Sequence, residues 1–99
     1  MTITSTQDGT TLTLAVDGRI DTNTSPDLQN AILKAFQGAK KVILDFAKVA
    51  YISSAGLRAL LIGQKTAASK GAVMEMKNVS KDVYAILDSV GFAKLLTIN

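Results

Sequence analysis

Over residues 11–17, Leu12, Leu14 and Val16 alternate with Thr11, Thr13 and Ala15. A period of two predicts a strand with one buried face. The Thr- and Ser-rich residues 2–7 alternate weakly and read as an edge strand, and Asp8-Gly9 between them is a tight-turn signal, giving an opening hairpin. The period then changes. Leu28, Ala31, Ile32, Ala35 and Phe36 recur at i, i+3, i+4, i+7 and i+8, one face of a helix. Ser25 is expected to cap it, with Pro26 first in the helix, Asp27 at its positive end and Gly38 as its stop. Residues 41–46 carry the unbroken run Val42-Ile43-Leu44, which predicts a central strand covered on both faces. A second helix is expected from Ala55 to Lys70, ended by Gly71. Leu57, Leu60, Leu61 and Ala68 share one arc of it with Gln64, while Arg58, Ile62 and Lys65 fall on the other side. Residues 72–77 read as a fourth strand. Ser80 caps a third helix with Asp82 in its first turn, Val83, Ile86, Leu87 and Val90 on its inner face, and Gly91 as its stop. Residues 94–98 give a last short strand.

The predicted order is ββαβαβαβ, an α/β fold with a mixed, mostly parallel sheet of about five strands packed with helices. The single domain spans residues 1–99, with no linker, repeat or low-complexity segment. Each strand–helix–strand unit implies a right-handed crossover between parallel neighbours. Sites on such sheets form beyond the carboxyl ends of the strands. Asp21, Ser54 and Asn78 follow the second, third and fourth strands, so chain order alone places them at one end.

Composition narrows the chemistry. The hydrophobic fraction is 47% and the charged fraction 19%, enough apolar matter for a core and too little charge for disorder. The chain has neither cysteine nor histidine, which excludes disulfides, thiol nucleophiles, the usual zinc ligand sets and Ser–His relays. The net charge is +3 and the basic residues are scattered, unlike a nucleic-acid-binding face. There is no glycine-rich phosphate loop, no apolar run long enough to span a membrane and no signal-peptide pattern at Met1-Thr2-Ile3-Thr4-Ser5. The chain is expected to be a cytoplasmic, non-enzymatic module without cofactor or metal.

The most informative stretch runs from Asp45 to Leu61. An apolar strand leads through Tyr51-Ile52-Ser53-Ser54-Ala55-Gly56-Leu57 into a helix. A helix start offers unpaired N–H groups and a partial positive charge, so a serine there caps it and tolerates an attached phosphate. Capping alone accounts for serine at a helix start. The order of elements on either side favours more than capping. Asp21, in Gly18-Arg19-Ile20-Asp21, stands equally as a solvated loop carboxylate or a neighbour of that serine. Ile62 stands as an ordinary exposed residue or part of a docking face.

The segment Tyr51–Leu57 resembles the central motif of STAS domains, the family of bacterial anti-sigma factor antagonists, and the resemblance extends over nearly all 99 residues. It implies that Ser54 is the phospho-acceptor. Ser53 stands where many members carry Asp, and Ala55 where they carry a second Ser or Thr. The resemblance further implies a protein that binds an anti-sigma factor when unphosphorylated. That partner, a serine kinase with its own ATP and magnesium, switches the protein off by phosphorylating Ser54, and a phosphatase reverses the step. Asp21, Ser53, Ala55, Gly56, Arg58 and Ile62 are the residues expected around this site. An alternative class is an accessory subunit of a transporter or other assembly, including lipid-transport complexes, without a phosphorylation cycle. A third, an enzyme with Ser54 as nucleophile, lacks any base at a recognisable spacing.

Overall fold

A computed structural model describes residues 1–99. Five strands form one sheet: β1 (Thr2–Asp8), β2 (Thr11–Asp17), β3 (Lys41–Lys48), β4 (Val73–Lys77) and β5 (Thr97–Ile98). Three helices connect the parallel strands: α1 (Ser25–Ala35), α2 (Ser54–Lys70) and α3 (Lys81–Ser89). The order of elements is the one the periodicities predict. β1 pairs antiparallel with β2, and the remaining pairs are parallel.

Strand order in space is β1-β2-β3-β4-β5, the same as in the chain. Each parallel crossover therefore steps one strand further in the same direction. Right-handed crossovers that all step one way lay their helices on one face of the sheet. Burial follows. Leu14 and Val16 of β2, Val42, Leu44 and Phe46 of β3, and Met74 and Met76 of β4 are buried on the helix side. Thr13, Ile43 and Glu75, which face the other way, are only half-buried. The expectation that β3 is covered on both faces is overturned: Ile43 lies on a face that no helix covers. The core is thus a single layer between sheet and helices, closed by Leu28 and Ile32 of α1, Leu57 and Leu60 of α2, and Val83 and Leu87 of α3. Each such side chain is stabilising by about 1.5–3 kcal/mol relative to exposure.

Local corrections have local causes. α1 begins at Ser25, which is buried; its cap position is Thr24, whose side chain makes no cap hydrogen bond. That hydroxyl instead donates to the Arg19 carbonyl (2.8 Å) and accepts from Asp21 N–H (2.9 Å). The helix also ends at Ala35, short of Gly38, which bonds back to the Ala35 carbonyl. Ser80 and Gly71 behave as expected. The Ser80 hydroxyl accepts from Val83 N–H (3.2 Å). Gly71 closes α2 in the left-handed conformation at φ 66°, which a residue without Cβ adopts readily. On α2 the buried line runs through Gly56, Ala59, Gly63 and Ala67 as well as Leu57 and Leu60, whereas Ala68 is exposed. Small residues let this helix approach the sheet and α1 closely. Val90 is 51% exposed and off the inner face of α3, because the helix ends at Ser89. Residues Phe92–Lys94 form a 3₁₀ turn, so the last strand begins at Thr97 and not at residue 94.

Candidate functional site

The loops after β2 and β3 are stitched together at the carboxyl end of the sheet. Ile20 and Ile52 form an isolated parallel bridge. Ile20 N–H donates to the Tyr51 carbonyl (3.1 Å), and Ser53 N–H donates to the Ile20 carbonyl (2.8 Å). Both isoleucines are buried, and α2 starts directly above them. Its first buried residue is Gly56. A Cβ built there would stand 2.6 Å from Ile20 Cγ2 and 2.6 Å from Ile52 Cγ1. Glycine at this position is what lets the helix start sit on the bridge.

The two serines have different jobs. Ser53 is the N-cap, in extended conformation, and its hydroxyl accepts from Gly56 N–H at 3.3 Å. Ser54 is the first helical residue, is exposed, and its hydroxyl has no partner within the chain. The N–H groups of Ser54 and Ala55 are likewise free of intrachain partners. The capping role is therefore carried by Ser53, and the spare hydroxyl is that of Ser54. Ser53→Ala is expected to cost about 0.5–2 kcal/mol, whereas Ser54→Ala should shift a urea midpoint far less. Equal shifts in the two variants would reverse the assignment.

Asp21 lies in the adjoining loop but is occupied there. Its Oδ1 accepts from the N–H groups of Asn23 (2.9 Å) and Thr24 (3.0 Å), and its Oδ2 lies 3.8 Å from Arg19 Nε. The Thr24 N–H, then the Asn23 N–H, the Thr24 hydroxyl and the Arg19 guanidinium hold its carboxyl below the ordinary carboxylate value. No hydrogen bond links Asp21 to the Ser54 hydroxyl. Asp21 shapes the loop that flanks Ser54. Asn78, the third residue at this end, sits at φ 58° and donates to Asp45 Oδ1 (3.0 Å), so it serves β3 and not the serine. That bond, joined by the Ala47 N–H, lowers the Asp45 carboxyl as well. A depressed folded value contributes stability above the unfolded value and loses it as pH falls through the folded one. Stability is therefore expected to decline as pH drops below the ordinary carboxylate range, and Asp45→Asn should flatten that decline in an acid titration followed by circular dichroism.

From Ser54 a stripe of accessible residues runs down α2 through Arg58 and Ile62, the first two exposed and Ile62 half-buried. Arg58 forms no ion pair. With Ala55 it lines a shallow groove of about 180 Å³ whose opposite wall is Ser25, Pro26, Gln29 and Asn30 at the start of α1. Sequence reading did not find this groove, nor the stack of the Arg19 guanidinium 3.9 Å from the centre of the Tyr51 ring. The partners in each case are about 30 residues apart in the chain and meet only in the fold, where β2 pairs parallel with β3 and α1 packs on α2. No cluster of His, Cys, Asp or Glu able to hold a metal is present, and no helix is long and apolar enough to cross a membrane. The site offers a free hydroxyl, a helix start, a cation and one half-buried isoleucine, but no base aimed at the hydroxyl.

Comparison with known proteins agrees with this fold. A family described as Mlab, STAS domain matches residues 3–97. A STAS-domain containing protein of Pseudomonas aeruginosa is 27% identical over 92 residues, covering 93% of this chain and 91% of the relative. Among solved structures, the anti-sigma factor antagonist SpoIIAA superposes in its unphosphorylated form with a TM-score of 0.83 at 16% identity, over 99% of this chain and 88% of that one. The phosphorylated form of the Bacillus cell fate determinant SpoIIAA gives 0.77 at 15% identity, over 99% and 91%. A sulfate transporter family protein from Wolinella succinogenes gives 0.80 at 21% identity, over 90% and 73%.

Proposed function

The chain belongs to the STAS-domain family, and on that ground we propose that it is an anti-sigma factor antagonist switched by phosphorylation at Ser54. The observation that carries the reading is the free, exposed Ser54 hydroxyl beside unpaired N–H groups, with the neighbouring Ser53 hydroxyl committed to the cap. The unphosphorylated protein binds an anti-sigma factor through the stripe Ser54, Arg58, Ile62 and the groove beside it. The partner is a serine kinase. Ser54 Oγ attacks the γ-phosphorus of ATP, its proton passes to a base of the kinase, and ADP leaves. Magnesium, nucleotide and base all come from the kinase, because phosphoryl transfer needs them and this chain supplies only the hydroxyl. A phosphatase returns the hydroxyl. The module itself does no chemistry and acts in the cytoplasm.

Incubation with the kinase and radiolabelled ATP, followed by site mapping, tests this. The parent is expected to take up phosphate at Ser54, and Ser54→Ala none while still binding. Uptake by Ser54→Ala equal to the parent would move the acceptor elsewhere.

A second reading rests on the Mlab description of the family match, on the likeness to a sulfate transporter family protein, and on Ser53 in the place of Asp. In it the chain is an accessory subunit of a transporter, held by the same face of α2 with no phosphate cycle. Affinity capture from native cells separates the two: transporter subunits support this reading, a kinase-like anti-sigma factor the first.

A further inference from the structure

The two edges of the sheet are treated differently. β5 is only two residues long, Thr97–Ile98, too short to template another strand. β1 runs seven residues, Thr-Ile-Thr-Ser-Thr-Gln-Asp, with no proline, no basic residue and an unbroken register against β2 from Thr2↔Asp17 to Asp8↔Thr11. Of the usual devices that discourage a further strand, only one charge is present, Asp8 at the far end of the strand. Asp8 and Thr11 flank a two-residue turn and so form a hydrogen-bonded pair. Pairs alternate along an antiparallel ladder, so the main-chain groups of Thr2, Thr4 and Thr6 point at β2 while those of Ile3, Ser5 and Gln7 point outward. The bond from Lys41 N–H to the Thr10 carbonyl agrees, since it fixes the even-numbered residues of β2 as those facing β3. The helix layer also stops short of this edge. A groove of about 420 Å³ remains between the hairpin and α1, lined half by apolar residues, Ile3, Leu12, Leu14 and Ala31 among them, and half by others that include Gln7 and Lys34.

We propose that β1 pairs antiparallel with β1 of a second copy of this chain, about a two-fold axis at Ser5, to make one continuous sheet. The strand is self-complementary in that register. Ser5 meets Ser5 and Ile3 meets Gln7, so every outward group finds a partner, with about six main-chain hydrogen bonds in all. The only charge on the strand, Asp8, falls opposite Thr2 of the second copy. The two Asp8 carboxylates lie at opposite ends of the seam, roughly 20 Å apart at the rise of an antiparallel strand, and do not repel. On the helix face Ile3 of each copy comes beside Gln7 of the other, at the mouth of the groove. Two strands of this length bury less than the roughly 1,200–2,000 Å² of a stable interface, so association is weak and concentration-dependent. The seam leaves the carboxyl ends of the parallel strands free, and the two Ser54 sites point in opposite directions. The proposal therefore stands apart from the phosphorylation reading.

Sedimentation equilibrium of the full chain tests it. The average mass is expected to rise from one chain towards two between about 10 μM and 1 mM, the range of weak pairs. Over the same range, hydrogen exchange at the Ile3, Ser5 and Gln7 amides should slow. Ser5→Pro removes only an outward N–H, which an edge strand tolerates, and should fold yet stay monomeric. Ser5→Lys and Ser5→Glu should each be monomeric alone and associate when mixed, because like charges would meet on the axis and opposite ones attract. A parent that stays monomeric to 1 mM overturns the proposal. So does a dimer that leaves the three amides unprotected, or protection that appears only when a different protein is added.

Discussion

Gly56→Ala is expected to lower stability by about 1–2 kcal/mol and to displace Ser54. The added methyl would meet Ile20 Cγ2 and Ile52 Cγ1 at 2.6 Å and Ile52 Cδ1 at 3.2 Å. Neither isoleucine can retreat. Both are buried, both are branched at Cβ and stiff at χ1, and the main chain beneath them is pinned by the Ile20↔Ile52 bridge and its hydrogen bonds. The start of α2 must lift instead. Overpacking of this kind costs about 1–3 kcal/mol, while alanine in a helix gains back about 0.5–1 kcal/mol over glycine. The remainder corresponds to a fall in Tm of roughly 5–15 °C for a domain of this size. Gly63→Ala supplies the comparison. Its methyl would stand 2.8 Å from Ile32 Cγ2 and 2.9 Å from Met74 Sδ, again a clash, but two turns further down α2. It should lower the melt while leaving partner binding through Ser54 near the parent value, whereas Gly56→Ala should lose both. A Gly56→Ala protein that melts and binds like the parent would show that the bridge yields, and the account of the helix start would fail.

The same region shows what a sequence can and cannot carry. The hairpin, the three helices and the five strands are legible because each rests on neighbours a few residues apart: alternation in Leu12-Thr13-Leu14, the i, i+3, i+4 spacing of Leu28, Ala31 and Ile32, the cap from Ser80 to Val83. The face of β3 that stays open is not legible. Val42-Ile43-Leu44 is apolar throughout, and only the direction in which successive crossovers step decides that Val42 and Leu44 meet helices while Ile43 does not. The candidate site divides the same way. Ser53, Ser54 and Gly56 are found by their local motif, but which serine caps depends on a hydroxyl's direction, and two adjacent serines give the same pattern either way. Asp21 is found by its place after β2, yet its carboxylate turns to Asn23 and Thr24, a loop geometry that short-range sequence does not distinguish from one reaching Ser54. The wall of the groove formed by Pro26 and Gln29 opposite Arg58 needs the fold before it can be seen at all.

Phosphorylation of Ser54 is expected to leave the melt nearly unchanged and to weaken partner binding about 100-fold or more. A phosphate adds a charge of about −1.5 to −2. At the first residue of α2 it meets the free N–H groups of Ser54 and Ala55 and the favourable end of the helix dipole. Arg58, one turn further along the same stripe, is exposed and unpaired, at the i, i+4 spacing from which side chains interact. Ser53 is a neutral cap, so no carboxylate at that position opposes the new charge, as an Asp there would. The fold therefore accommodates the phosphate. The proposed partner interface does not. Docking on a stripe and groove built around a neutral hydroxyl must strip water from the phosphate or set it against groups arranged for something smaller, and a charge buried without its partner costs about 2–5 kcal/mol. Ser54→Asp should reproduce the loss only in part, since a carboxylate is smaller and carries less charge. Thermal melts and binding titrations on parent, phosphoprotein and Ser54→Asp decide the matter. Equal affinities for parent and phosphoprotein would remove the switch. A collapsed melt would mean that phosphorylation acts by unfolding the start of α2, and that the free N–H groups and Arg58 do not receive the charge.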